Sequence, residues 1–335
     1  MQDSKTILSL EDFEKASQNI SDVIVRTNLE YNDRLSKKFR ARIYFKREDL
    51  QITRSYKIRG AYNFICNLSA EQRSKGILTA SAGNHSQGVA FSANKLKIMA
   101  TIFMPETTQE QKIRRVEYLG GKFVSIKLVG KNFDESLNVA LRTSKDNGAV
   151  FVPPFDDELV IAGQGTVGKE INDALNGSID IIICPIGGGG LIAGVASYFN
   201  QIESDAEILG VEPIGAEAMY QSLKQNKLVT LPFVDTFVDG AAVKTVGVKT
   251  FKIVRSLVEN ILLVPVGKIC STMIELYQDD GIITEPAGAL SVSALDQIKD
   301  SIKDKTVVCV ISGGNNDLMR YGEIIKLAED FKKDI

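Results

Sequence analysis

The chain has 335 residues, 44% of them hydrophobic, enough for a sizeable core in one large or two compact domains. Its formal net charge of -2 gives no electrostatic basis for binding nucleic acid or an anionic membrane. The longest apolar runs, such as 179–186, are too short to span a bilayer, and Met1-Gln2-Asp3-Ser4-Lys5 opens no signal-peptide core, so a cytoplasmic protein is expected.

Short β-branched runs alternate with longer amphipathic stretches. Residues 42–46 read as a strand and 56–68 as a helix. Ile77-Leu78-Thr79 is strand-like, and a helix is expected over 86–95. Strands follow at 98–103, 122–128 and 149–152, separated by helices at 109–119 and 133–147. A helix over 163–175 leads to the clearest strands of the second half, 179–184, 207–211 and 306–311, with a helix at 191–199 between the first two. This alternation predicts α/β architecture with mostly parallel sheets. There is no internal repeat or low-complexity run, and Pro153-Pro154 is the best-punctuated boundary.

The four cysteines are scattered and no Cys-x-x-Cys occurs, so neither a disulfide framework nor a zinc ribbon is supported. Cys184 and Cys309 lie in apolar strand-like runs and read as small buried hydrophobes. His85 is the one histidine. It excludes His-rich metal sites, and with no Gly-x-Ser-x-Gly elbow it gives little ground for a Ser-His-Asp triad.

Four segments carry chemistry. In Ser55-Tyr56-Lys57-Ile58-Arg59-Gly60 a lysine sits beside an aromatic residue at the start of a helical pattern. Most lysines are solvated surface charges. A nucleophilic lysine must be neutral part of the time, which burial and nearby cations favour. Gly187-Gly188-Gly189-Gly190-Leu191 joins a strand to a helix, the arrangement that lets backbone N–H groups approach a phosphate. A tight structural turn would use the same residues. No Walker Lys-Ser/Thr follows, while Gly188, Gly190 and Ala193 match part of a dinucleotide fingerprint, so a dinucleotide fold stays open. Ser81-Ala82-Gly83-Asn84-His85 suits either an ordinary capped turn or an amide-lined carboxylate pocket. Ser312-Gly313-Gly314-Asn315 ends a strand and on its own reads as a strand-ending turn or a polar end-stop.

The order and spacing of these segments, from about residue 20 to about residue 325, resemble the fold-type II pyridoxal-phosphate enzymes, and within them the biosynthetic threonine dehydratases (threonine ammonia-lyases). The resemblance implies a tryptophan synthase β-like fold with two open, mostly parallel twisted sheets flanked by helices. It implies a large cofactor-binding domain from residues 1–50 and 154–335 and a small domain from 51–153. Pyridoxal 5'-phosphate is the implied cofactor, carried by Lys57, with Tyr56 beside the ring where phenylalanine is commoner. Asn84 is implied at the phenolic oxygen, Gly187, Gly188, Gly189, Gly190 and Leu191 at the phosphate, and Ser312 at the pyridine nitrogen. Glu285, in Glu285-Pro286-Ala287-Gly288, falls near the cofactor without an assigned role. Ser81, Ala82, Gly83, Asn84 and His85 are implied around the substrate carboxylate, with His85 itself read as structural. A neutral serine opposite the ring nitrogen favours prompt β-elimination.

The implied reaction takes L-threonine to 2-oxobutanoate and ammonia, Lys57 removing the Cα proton, with L-serine to pyruvate as a secondary activity. A homodimer or homotetramer is expected, with no nucleic-acid or membrane partner. Serine racemases share the motifs but carry a serine base where this chain has Ala82. A β-replacing synthase differs in the substrate loop, and a non-enzymatic nucleotide-binding module would carry no visible cofactor band. Glu212-Pro213 and Ala216 resemble a divalent-cation loop, but Ala218 stands where an acid is usual and Glu217 is out of register, so no metal is expected. The Phe237 to Val243 stretch resembles the biosynthetic enzymes. The chain stops soon after Tyr321-Gly322-Glu323-Ile324-Ile325, too soon for a C-terminal effector domain, so insensitivity to isoleucine is expected.

Overall fold

The structure is a computed structural model that describes residues 8–333. Ten strands occur among the described residues: β1 (Leu29–Tyr31), β2 (Arg42–Arg47), β3 (Ile77–Ala80), β4 (Ala100–Met104), β5 (Val124–Leu128), β6 (Val150–Phe151), β7 (Ile181–Pro185), β8 (Glu207–Pro213), β9 (Asn260–Val264) and β10 (Thr306–Ile311). They form a six-stranded sheet, order β1-β2-β10-β7-β8-β9, and a four-stranded sheet, order β5-β4-β3-β6. Every pairing is parallel except that of β1 with β2.

The six-stranded sheet is covered on both faces, as parallel sheets require. In β10, Val308 and Val310 enter one core cluster while Val307, Cys309 and Ile311 enter the other. This period of two within a wholly apolar run is the mark of a central strand. β10 pairs with β2 through Val307 opposite Ile43 and with β7 through Val307 opposite Ile181. A chain segment from near each end of the sequence is thus locked to the middle. The carboxyl ends of β3, β7 and β10 run into the Ser81, Gly187 and Ser312 segments, where open α/β sheets place their ligands.

Most expected elements fall within two or three residues of those observed, and the departures have local causes. The helix expected from 163 begins at Glu158, because Asp157 caps it by accepting from Leu159 N at 2.8 Å. The helix expected from 86 begins at Asn84, so Asn84 and His85 are helical and not part of the preceding turn. Residues 121–123 form a 3-10 turn ahead of β5, where Gly121 takes φ +51°. Unforeseen elements include the helix Leu10–Ile20, closed by a Ser9/Asp12 capping box, the helices Val266–Asp280 and Pro286–Ser293, and β9. No described helix is long and apolar enough to cross a membrane.

Candidate active site

A cavity of about 1020 Å³ is lined from both sheet units. Its wall includes Lys57, the Ser81 to His85 run, Gly187 and Gly188, Glu285 and Ser312, so segments from all four motifs meet.

Lys57 is the first residue of the helix Lys57–Cys66. Backbone contacts tie its entry to the third motif: Tyr56 N donates to Ser312 O at 3.2 Å, and Ser55 bridges Gly313. On the other side the helix Asn84–Leu96 comes so close at Gly88 that a Cβ there would lie 3.1 Å from Lys57 O. The Lys57 amine donates to Pro154 O at 2.9 Å and sits 5.4 Å from the centroid of the Tyr56 ring. Burial pushes its pKa down to about 8, against a weaker opposing pull from Glu285. At neutral pH roughly a tenth of such amines are unprotonated, against well under a thousandth for an ordinary lysine. Burial also raises the pKa of the Tyr56 phenol, which stays protonated.

The glycine turn is shaped by close approach. Gly189 takes φ +90°, and a Cβ on Gly188 would fall 2.1 Å from the Phe155 ring. Thr250 Oγ1 pins the turn by donating to Gly188 O at 2.7 Å. The helix Gly190–Gln201 that follows has no side-chain cap, so its first N–H groups keep their donor capacity. Gly187 and Gly188 reach the cavity wall, whereas Gly189, Gly190 and Leu191 do not. The Leu191 side chain packs into the core, which leaves its backbone alone to serve an anion.

In the Ser81 segment, Gly83 N donates to Ser81 Oγ at 3.2 Å, and the place a Gly83 side chain would take is open space. Asn84 Nδ2 donates to Glu285 Oε1 at 2.5 Å, and Asn84 Oδ1 accepts from Asn315 Nδ2 at 2.8 Å. His85 Nε2 lies 3.0 Å from Val152 O, which can only accept, so Nε2 carries the hydrogen. Burial and the neighbouring Lys57 charge push the His85 pKa down to about 3, so the ring is neutral and spent on a structural bond. Burial, reinforced by Asp239, pushes Glu285 up to about 7. Ser312 Oγ donates to Ala287 O at 3.2 Å from a buried position.

Sequence reasoning missed Pro154, Phe155 and Thr250. A carbonyl oxygen leaves no mark in residue type. Phe155 is a single aromatic after Pro153-Pro154, a place that signals only a boundary. Away from the cavity, the Glu212 carboxylate accepts from Met219 N and Tyr220 N, and burial raises its pKa to about 8. No group of three potential metal ligands exists among the described residues.

An amine kept partly neutral, a glycine turn free of side chains and a buried hydroxyl define a site for an aldehyde cofactor bearing a phosphate and a heteroaromatic ring. The profile of the family described as "Pyridoxal-phosphate dependent enzyme" matches residues 20–313, and the chain belongs to that family. It is similar to the protein named L-threonine dehydratase biosynthetic IlvA from Halalkalibacterium halodurans, 48% identical over 95% of this chain and 76% of the relative. The protein of that name from Lactococcus lactis is 50% identical over 95% of this chain and 77% of the relative. Among solved structures, the processed form of threonine deaminase isoform 2 from Solanum lycopersicum is 41% identical at TM-score 0.90, covering 95% of this chain and 92% of that one. Maize serine racemase is more distant, 32% identical at TM-score 0.88, covering 97% and 99%.

The residues fit pyridoxal phosphate on their own chemistry. Gly187 and Gly188 line the cavity and leave no room for a Cβ, which would fall 3.0 Å from Ala241 Cα and 2.1 Å from the Phe155 ring. The buried Gln87 Oε1, on a residue of the cavity wall, has no protein partner.

Proposed function

We propose that the chain dehydrates and deaminates L-threonine to 2-oxobutanoate and ammonia, with L-serine to pyruvate as a secondary reaction. The observation that carries the reading is the Lys57 amine, held at 2.9 Å from Pro154 O with its pKa near 8, facing the Ser81 segment across a cavity that the glycine turn also lines. When bound, pyridoxal phosphate supplies an electron sink that acidifies the substrate Cα–H. Lys57 holds the cofactor and, once free, takes the Cα proton as a general base. The backbone N–H groups of Gly187 to Leu191 take the phosphate. Asn84, fixed between Glu285 and Asn315, has one amide hydrogen left and would hold the phenolic oxygen. Ser312, whose hydroxyl donates to Ala287 O, would hold the ring nitrogen. Ser81 to Asn84 receive the substrate carboxylate, and Ala82 offers no proton to the opposite face of Cα, so elimination prevails over racemisation. The net reaction balances, because the water lost from the β-carbon is regained when the imine product hydrolyses to the 2-oxo acid.

Three further points belong to the same reading. The chain divides into a large unit (1–50 and 154–335, of which 1–7 and 334–335 lie outside the described residues) and a small one (51–153). It works in the cytoplasm. It self-associates as a homodimer or homotetramer, supported by Leu318 and Met319, which stand 78% and 86% exposed beside Asn316, whose buried amide atoms lack partners. Light scattering of the wild type against Met319→Glu tests this last point.

The main experiment is an absorbance spectrum of purified protein followed by a 2-oxo acid assay with threonine and serine. The expected result is a visible cofactor band, trapped by borohydride on Lys57, and faster turnover of threonine. A protein without the band, or with a band and no 2-oxo acid from either substrate, overturns the reading.

A further inference from the structure

Two residues beyond Lys57 lies a cluster of charges that the reaction does not touch. Arg59 is fully buried, and all five of its N–H hydrogens are used. Nε and Nη2 donate to Glu48 at 2.8 and 2.7 Å. Nη1 and Nη2 donate to Glu170 at 2.7 and 2.9 Å. The last hydrogen of Nη1 goes to Thr166 Oγ1 at 3.0 Å. Lys46, also buried, donates to Glu170 at 2.6 Å and to Thr27 O at 2.7 Å, while Thr27 Oγ1 donates to Glu48 at 2.6 Å. Two cations and two anions thus face one another, with Lys46, Glu48 and Arg59 buried and Glu170 at the partly exposed rim. Burial works against the Arg59 charge, but Glu48 and Glu170 outweigh it and raise its pKa.

A buried ion cluster adds little net stability over a hydrophobic replacement, so its value lies in geometry. Here it joins three elements: the end of β2 with the Glu48 turn, the helix Lys57–Cys66, and the helix Glu158–Leu175. The two helices touch at backbone distance, since a Cβ on Gly163 would lie 2.7 Å from Arg59 O. Asn63 Nδ2 adds a bond to Leu159 O at 2.7 Å. The second helix continues directly from Pro154, which accepts the Lys57 amine, and from Phe155, which packs on Gly188 and Gly190. One clamp therefore fixes the lysine, its acceptor and the wall behind the glycine turn.

We propose that Arg59 is a positioning residue for Lys57: its fork to Glu48 and Glu170 sets where the amine stands relative to Pro154 and the glycine turn. The proposal rests on the function proposed above. Lysine cannot replace the fork, because an ammonium has three donors and no fixed plane. Displacing a reacting group by about 1 Å can cost about a hundredfold in rate.

The test compares wild type, Arg59→Lys and Glu170→Gln, each loaded with pyridoxal phosphate, for kcat and KM. It also measures the pH midpoint of Lys57 acylation by an amine-reactive reagent in cofactor-free protein. Arg59→Lys is expected to keep the far-ultraviolet circular dichroism of the wild type and to lose kcat by about ten- to a hundredfold, with KM for threonine changed less than about threefold. Its acylation midpoint is expected to move by about half a pH unit or more. Glu170→Gln, at the rim of the cluster, shows the same pattern at a smaller size. A merely structural role predicts lower melting temperatures with kcat per folded enzyme and the acylation midpoint unchanged, and that result overturns the proposal. If Arg59→Lys does not fold, an unchanged midpoint and kcat in Glu170→Gln overturn it as well. Wild-type protein inactive on threonine but with a midpoint that moves in the variants would sink the functional reading and leave this one standing.

Discussion

Two buried clusters of charge lie within one helical turn of each other and follow opposite rules. Around Arg59 every charge has an opposite partner, and the donors are used to the last hydrogen. Around Lys57 the groups border the cavity, Lys57 and Asn84 half-buried and Glu285 buried, and are left short of counter-charges. The Lys57 amine leans on a neutral carbonyl, and Glu285 receives an amide rather than a cation. In the first cluster the arginine is kept charged, and in the second the lysine and the carboxyl are both pushed toward neutrality, to about 8 and about 7. Pairing makes a rigid joint, and withholding the pair makes groups that exchange protons near physiological pH. The contrast separates architecture from chemistry inside one motif, Ser55 to Gly60.

The largest effect that sharpens this contrast is Lys57→Ala. Activity on threonine should fall by roughly three orders of magnitude or more, because both the cofactor attachment and the base are lost. Stability should not fall with it. The Lys57 pKa is depressed in the fold, so below pH 8 the native state must bury a charged amine that the unfolded chain leaves in water, and that cost fades as pH rises from about 8 to 10.5. Cofactor-free Lys57→Ala should therefore melt at the same or a higher temperature than wild type at pH 7. A folded variant that still turns over threonine would contradict the assignment.

The mirror experiment is Glu48→Ala. It strips the paired cluster of one anion and leaves Arg59 and Lys46 buried with Glu170 alone. Breaking a buried pair in this way costs about 3–5 kcal/mol. Denaturant melts should show that loss across the whole range from pH 6 to 8. Equal stability of variant and wild type would mean that the cluster does not hold the helices together.

A third measurement uses pH as the probe. Glu285 holds its proton to about pH 7 in the fold, against an ordinary carboxyl value of 4.5, because burial and then Asp239 disfavour its charge. Between those values the unfolded chain gives up the proton before the native chain does, so stability falls as pH rises through the window. Glu285→Gln removes this contribution. The stability difference between variant and wild type, both cofactor-free, should swing in favour of the variant by about 2–4 kcal/mol between pH 4.5 and pH 7.5. A flat difference would show that Glu285 ionises normally and that the second cluster is less deprived of charge than its geometry indicates.

These clusters also explain what could be read before the fold was known. β10 was legible because an uninterrupted apolar, β-branched run fits a central parallel strand and little else. That Lys57, Gly187, Gly188 and Ser312 would meet at one cavity was legible, because backbone approach or a particular functional group restricts those positions to particular residue types. Arg59 was on the page but mute: its partners Glu48 and Glu170 are set by tertiary folding and share no local pattern with it. Pro154 acts through its carbonyl, which every residue has. The helix Val266–Asp280 and β9 were marked by Pro265 between them and by Gly281 at the helix end, and with the Ser9 and Asp12 capping box these were usable signals left unread.

The smallest expected effect tests the open face of the second cluster. Ala82 lines the cavity next to Gly83, where open space stands in place of a side chain. The proposed base is Lys57, and Ala82 has no group that could return a proton to Cα from the other side. His85, the nearby imidazole, is neutral and committed to Val152 O, so it does not fill that role. Racemisation needs both faces served, whereas elimination needs only one. Ala82→Ser supplies a hydroxyl at small cost in volume, and the D-serine formed from L-serine should rise about tenfold from a trace while pyruvate remains the main product. Chiral chromatography of the reaction mixture measures both products at once. Abundant D-serine from the unaltered protein would mean that another group already serves that face. An unchanged trace in Ala82→Ser would mean that residue 82 does not look onto the substrate, and the carboxylate pocket would then have to be placed deeper toward Asn84.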